Sequence, residues 1–534
     1  MKKIINYILI GLFVVGFSSC KKFLDINENP NSATSTTPQL VLPQAIVASA
    51  SLANTFNINL ADIGGQQANA GGFGGFGSVV TNEYTTSSFT GLWSSTMNVN
   101  ADLKYVVDQT IDDPKLAFYS SAARILKALN FARLVDQYND IPYTEALQGK
   151  ENMTPAYDKA SDVYKDLVKE LNESIAAIEA GEAANQGQAG ATTSIDPDTD
   201  PLFGGTMNSW KRFANTIKLR LLIKMAGVPD LNGYATGELN SINTTLGFLE
   251  EDALVNPGYS NESGKQAPIF ASRGETVTGG TTQTSRIPSY WMHGFYDGNK
   301  LTDEVRGSLI YYQFPGTRSN QLGDESANVD RATGWEWYPA DKGVVKGAGQ
   351  SQPIMLAAES YFLQAEAAVR GYLSGSAEDL FVEGMAASFY YLFLDADGSY
   401  GGEYSQYNYV SEYIADNELS YLVNWDKTDE PEPADYNQDV TQRRIEAIIT
   451  QKYIALNFVN NDEAYNEFRR TKYPYIVNGS SDPYLTFASL KSRSTRPDGL
   501  VGRILYPQFE YAQNAANAPS GITLFGSRIF WDLD

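Results

Sequence analysis

Between Leu116 and Ala180 the chain writes two helices in succession. "LAFYSSAARILKALNFARLVDQY" places Ile125, Leu129, Ala132 and Val135 near one stripe, with small alanines at 122, 123, 128 and 132. "AYDKASDVYKDLVKELNESIAAIEA" repeats apolar Val163, Leu167, Leu171 and Ile175 every four residues. Apolar residues at that interval mark one face of a helix. Pro142, in "NDIPY", lacks an N–H and restricts the residue before it, so it is expected to end the first helix. Two helices, a short turn and small residues at the crossing make a hairpin of tetratricopeptide type. An apolar stripe must be buried against another element, so such a chain is constrained to pack helix on helix.

The pattern recurs. "PIMLAAESYFLQAEAAVRGY" and "AEDLFVEGMAASFYYLF" form a second hairpin through Gly371 and Gly375. "TQRRIEAIITQKYIALNF" followed by "DEAYNEFRRT" forms a third. In the latter, Asn460 and Glu463 fit a capping box, Arg469 and Arg470 complement the helix dipole, and Pro474 marks the stop. Further helices are expected from Leu40 to Leu60 and from about Trp93. The period is not fixed, so this is no simple tandem array. Long inserts separate the hairpins. Residues 64–91 are glycine-rich but lack the Gly-Lys-Ser/Thr ending of a phosphate loop. Residues 181–205, 228–350 and 395–437 read as turn-forming and, in part, aromatic. No low-complexity linker divides the chain. The expected fold is mainly α: one domain over residues 39–534, built of helical hairpins with long aromatic insertions.

The start of the chain is different. Lys2 and Lys3 precede an apolar run from Ile4 to Phe17, then Ser18, Ser19 and Cys20, the only cysteine. That order reads as a signal peptide over residues 1–19, too short to span a bilayer comfortably. "FSSC" resembles the lipobox of bacterial lipoproteins, with Phe17 where Leu is usual. Cys20 is therefore expected to be the acylated first residue of the mature chain. Polar residues 20–38 would form the lipid-anchored tether, and two or more acyl chains hold stably to a membrane.

The formal charge of −23 argues against nucleic acid and suits neutral ligands better than polyanions. Only one histidine, His293, is present, so a Ser-His-Asp hydrolase would depend on it alone, and no G-x-S-x-G elbow accompanies it. No metal and no cofactor is expected. Asp196, Asp198 and Asp200 alternate like calcium ligands, but Pro201 occupies the EF-hand glycine position, so a turn is the expectation. Carboxylates are abundant, yet no local motif singles out the acid pair that a glycosidase needs. No catalysis is expected.

Several segments, in order, now resemble one family. After the lipobox comes "KKFLDINENPNSAT"; then "ARLVDQYNDIPYTEAL", "PLFGGTMNSWKRFANTIKLRLLIKMA", "MLAAESYFLQAEAAVRG", "EAYNEFRRTKYP" and "GRILYPQFEYAQNAAN". Together these are similar to the SusD/RagB-like nutrient-binding outer-membrane lipoproteins of Bacteroidetes, in the SusD-like subgroup. Asn139 stands where the family's turn has Gly, and Tyr465 where its late helix has Trp. The resemblance implies an α-rich domain of four tetratricopeptide-like hairpins with a loop-rich second face. It implies capture of a glycan, or sometimes a peptide, and delivery to a SusC-like TonB-dependent outer-membrane transporter as partner. It carries over no binding residue.

Sugars offer apolar C–H faces and rings of hydroxyls, which flat aromatic rings and a few polar groups recognise. Three loop clusters have that composition: Phe73, Phe76, Asn82 and Tyr84; Tyr290, Trp291, His293 and Tyr296; Trp335, Trp337 and Tyr338. Trp93 and Trp210 lie in helical motifs and are expected in the core. A surface glycoside hydrolase and a protein-binding scaffold are the competing readings.

Overall fold

The computed structural model describes residues 36–71, 75–326, 336–337, 341–402, 404–429 and 438–533. The signal peptide, Cys20, nearly all of the tether, Phe73, Trp335 and Tyr338 lie outside the described residues.

Helices dominate. α1 spans Pro38–Leu60, α2 Thr90–Thr110, α3 Ala117–Tyr138, α4 Ala160–Gly187, α5 Met207–Ala226 and α6 Pro229–Asn240. Each packs on the next in antiparallel-hairpin fashion. After a loop-rich stretch come α7 Ala357–Val369, α8 Ala377–Phe393, α9 Gln406–Asp416, α10 Val440–Ala455 and α11 Asn461–Thr471. α7 pairs with α8 and also touches α10 and α5, while α11 returns to α1. The buried apolar residues from Leu42 to Trp531 form one large cluster, with a small satellite of Ala68, Val80 and Leu322. Trp93 and Trp210 belong to it, as expected. Among the described residues no helix is long and apolar enough to cross a membrane.

Three local expectations are corrected. α3 stops at Tyr138, where Asn139 turns to φ 65°, before Pro142 is reached. The insert after residue 228 opens with a helix, α6, started by Pro229 and held by buried Leu231, Ala235 and Leu239 at four-residue spacing. Asn460 makes no side-chain cap on α11; the capping box in this region belongs to α10, between Asp439 and Gln442.

Glu463 is free of that capping duty because it serves the core. Lys224 on α5 lies 2.8 Å from Glu463 and 2.9 Å from Asp136 on α3. Arg220 lies 2.7 Å from Glu359 on α7, and Arg133 2.8 Å from Asp462. Arg470 holds Glu366 at 2.6 Å and Glu467 at 2.5 Å. Lys452 stands between Glu359, Glu463 and Glu467 at 3.6–3.9 Å. These side chains are buried. An ionic seam thus joins α3, α5, α7, α10 and α11. Arg469 and Arg470 act in and around this seam and do more than complement the dipole of α11: Arg469 donates to the Asp136 carbonyl at 2.7 Å.

The long loops are knitted to one another as a layer. β1 (Gln67–Asn69) pairs antiparallel with β3 (Arg286–Pro288), Ala68 facing Ile287. Side chains and single backbone bonds extend the weave. Ser289 Oγ donates to Gly65 O at 2.5 Å, Asn320 Nδ2 to Asn69 O at 2.8 Å, and Ser489 Oγ to Val80 O at 2.5 Å. Gly65 sits at φ 85°, and a Cβ there would meet the Phe487 ring at 2.6 Å, so only glycine fits. β2 (Ala253–Val255) pairs with β4 (Gln352–Met355), and β4 leads the chain into α7.

Candidate functional site

The weave gathers Trp291, Tyr296 and Trp337, but not Phe76, Asn82 and Tyr84, at the C-terminal end of α10. Trp291 donates its indole N–H to the Tyr453 hydroxyl at 3.2 Å, and that hydroxyl donates to Gly64 O at 2.5 Å. Tyr296 and Tyr311 receive Asn457 Nδ2 at 3.3 and 2.9 Å. Trp337 lies with its ring 4.5 Å from that of Phe458. His293 Nδ1 bonds Asp297 Oδ2 at 2.9 Å, and its ring faces Tyr311 and Phe314. Asn82, at φ 58°, donates to Ser492 Oγ and Gly499 O, and the Tyr84 ring sits 4.8 Å from that of Phe89.

This corrects the picture of open platforms. Asn82, Tyr84, Trp291, His293, Tyr296 and Trp337 are buried, so no sugar ring can lie flat on them. They are large residues fixing loops to the scaffold, and burial of their area is what orders those loops. Phe76 and Tyr290 remain half exposed. Phe76 lies 4.8 Å from the Arg286 guanidinium, and Tyr290 5.8 Å from the Tyr484 ring. The alternating aspartates are a turn: Asp196 caps a short helix, while Asp200 accepts the Leu202, Phe203 and Gly205 N–H groups and the Trp210 indole.

Trp291, only 2% exposed, forms part of the wall of a cavity of about 320 Å³. Phe295, Tyr421, Tyr475, Tyr484 and Leu485 supply most of the aromatic and apolar wall. Tyr475 is 48% exposed and Leu485 46%, so the mouth is an apolar rim open to solvent. Glu446 and Thr450, from α10, form part of the wall, and Lys300 stands beside Trp291. Glu446 Oε2 accepts from the Tyr421 hydroxyl and from Gln438 Nε2, each at 2.9 Å. It is the lone carboxylate among the described lining residues.

The aromatic wall is assembled from three separate segments: Trp291 and Phe295, then Tyr421, then Tyr475 and Tyr484. Reading the sequence singled out only Trp291 of these and its neighbour Tyr290. The missed signal lies in "YPYIVNGSSDPYLTF", where Tyr475, Val477, Tyr484 and Leu485 are apolar residues set in polar turns. Such residues in a turn, with no periodicity, have no core face to occupy.

A stack of helical hairpins faced by a loop layer that carries an aromatic cavity is the build of a helical-scaffold binding protein. The family described as SusD-like, "Starch-binding associating with outer membrane", matches residues 30–486. The chain belongs to that family. Solved structures agree in fold. A SusD homolog from Bacteroides uniformis has a TM-score of 0.65 at 21% identity, covering 92% of this chain and 99% of its own. A chitin-binding SusD homolog from Flavobacterium johnsoniae has a TM-score of 0.63 at 22% identity, covering 91% and 99%. A SusD homolog from Bacteroides fragilis has a TM-score of 0.64 at 18% identity, covering 93% and 100%. No curated protein matches the chain.

Proposed function

We propose that this protein captures a glycan at the cell surface and passes it, unaltered, to a SusC-like TonB-dependent transporter. The observation that carries the reading is the aromatic-walled cavity on the loop layer of a chain whose family is described as starch-binding. Exposed Tyr475 and half-exposed Tyr484 and Tyr290 offer ring faces to sugar C–H groups, and the hydroxyls of Tyr421 and Thr450 offer polar partners. The chitin-binding relative lends weight to a glycan over a peptide. Glycoside hydrolysis needs two carboxyl groups flanking one bond; Glu446 is single in this cavity and already hydrogen-bonded. Trp291 stays in the proposal as wall, and half-exposed Phe76 and Tyr290 as contacts outside the cavity's lining. Phe73, Trp335 and Tyr338, outside the described residues, stay in the proposal as ligand contacts. The body from residue 39 acts as one unit, a reading supported by its continuous core. Cys20 carries the lipid that ties that body to the outer membrane.

Binding of the full chain to an array of neutral and charged oligosaccharides tests the capture step. A retained glycan that emerges uncleaved supports it; release of shorter products, or retention of no glycan at all, defeats it. Cys20→Ser tests the anchor, because the variant should leave the membrane fraction.

A further inference from the structure

Among the described residues three cations lie between two aromatic rings, and Lys300 is the one whose charged group has no acceptor. Arg469 lies 4.9 Å from the Tyr465 ring and 5.1 Å from that of Trp531 and donates to the Gly502 and Asp136 carbonyls. The Arg306 guanidinium lies 4.6 Å from the Phe389 ring and 4.8 Å from that of Tyr413. It also donates to Asp303 at 2.5 Å, to Ser388 Oγ at 3.2 Å and to Gln451 Oε1 at 3.4 Å. Lys300 Nζ lies 3.2 Å from the Trp291 ring centre and 3.5 Å from that of Phe295. Among the described residues it has no hydrogen-bond acceptor. The one carboxylate whose field it feels, Asp297, already accepts from His293, from Asn299 N and from Asn299 Nδ2. A second wall residue of the same cavity is in the same condition: Thr450 Oγ1, on α10, is buried without a partner.

An aromatic face can hold a cation, but a desolvated ammonium with no acceptor is costly unless a partner arrives. Burial drives the Lys300 ammonium well below its ordinary range. For Arg306 burial pulls the same way, and Asp303 outweighs it. Both unpartnered groups, Lys300 Nζ and Thr450 Oγ1, belong to walls of one cavity with a solvent-facing aromatic mouth.

We infer that this cavity accepts a carboxylate-bearing sugar, a uronic acid unit of an otherwise mostly neutral glycan, with Lys300 as its counter-charge and Thr450 Oγ1 as a hydrogen-bonding partner. The inference rests on glycan capture at this cavity and names the class of glycan. The sugar ring stacks on the tyrosine rim and its carboxylate completes the site that Asp303 completes for Arg306. The protein's formal charge of −23 repels dense polyanions, so sparse carboxylates suit it and heavily sulfated chains do not. The other aromatic cavity, about 360 Å³ beside Tyr361, Tyr390 and Tyr407, is lined by Glu250, Glu251 and Glu383 and disfavours the same ligand.

The test compares a uronate-containing oligosaccharide with its methyl ester, which keeps the ring and removes the charge. Calorimetric titration of the full chain should show the acid binding about tenfold tighter or more than the ester. Lys300→Met, which keeps an apolar stem between the two rings, should remove that preference, and Lys300→Arg should restore part of it. Circular dichroism reports whether each variant folds, and the acid-to-ester ratio of the unmodified chain needs no variant. Equal binding of acid and ester, or a preference that survives Lys300→Met, overturns the inference while leaving glycan capture intact. Failure of every glycan, neutral or acidic, overturns both.

Discussion

Arg220 and Lys300 are both cations withdrawn from water, and their surroundings divide the molecule in two. Arg220 sits in the seam between the helices, 2.7 Å from Glu359 and 3.7 Å from Glu463. Lys300 sits in the loop layer against two rings and no carboxylate. In the seam Arg133, Arg220, Lys224, Lys452 and Arg470 each have an acid supplied by another helix, so the ion pairs fix which helix lies beside which. In the loop layer the aromatic residues hold the chain by area, and two polar groups of the cavity, Lys300 Nζ and Thr450 Oγ1, have no partner among the described residues. The difference is one between charge that positions the scaffold and charge that is held ready for a ligand.

Removing one charge should therefore have opposite effects in the two regions. Glu463→Ala leaves Lys224 and Arg220 short of a partner inside the core. It should cost about 3–5 kcal/mol, read as a large drop in the urea midpoint. Lys300→Met removes a charge that has no protein partner. It should leave stability unchanged or raise it by about 1–2 kcal/mol in the same assay. Loss of stability in both variants would erase the distinction drawn between the regions.

Acid should unmake the seam first. Burial by itself raises the Glu366 carboxyl, but Arg470 and Arg370 outweigh it and hold the group down at about 2. The ordinary value for glutamate is about 4.3. A depressed carboxyl stabilises the fold fully above its unfolded value, and that contribution is lost as pH falls from about 4.3 through about 2. Across that span Glu366 supplies about 3 kcal/mol. Asp462 works the other way, since burial raises it against the pull of Arg133. Urea titrations at a series of pH values should show Glu366→Gln less stable than the parent at neutrality, with the gap closing towards pH 2.

The seam also explains how much was legible in the sequence. Helix positions followed from apolar spacing, because α3, α4, α7, α8 and α10 bury continuous stripes. "EAYNEFRRTKYP" read as a well-capped helix, since Asn460 and Glu463 have the right types at the right interval. A one-dimensional pattern cannot show that Lys224, more than 200 positions away, takes Glu463 instead. The candidate site had the same fate. Trp291 stood out by residue type, but its indole is spent on Tyr453 and only part of it meets the cavity. Lys300 carried no signal at all, because its chemistry is the absence of a partner and that is visible only in three dimensions. For the same reason Trp291→Ala is a poor probe of binding. It should lose about 3 kcal/mol of stability along with affinity, and so confuse the two regions that a useful variant would separate.

The smallest expected effect gives the cleanest separation. Tyr475 is 48% exposed at the mouth of the cavity. Tyr475→Ala should leave the helical signal and the urea midpoint within about 0.5 kcal/mol of the parent. A sugar that stacks there loses an aromatic face, so affinity should fall by about 1 kcal/mol, roughly fivefold. Tyr484→Ala should do the same, with some added loss because its ring also leans on Tyr290. The two changes together should come close to additive if each ring meets a different part of the ligand. If affinity holds while both rings are gone, the rim is not where the ligand lies, and the loop layer is held together by aromatic packing alone.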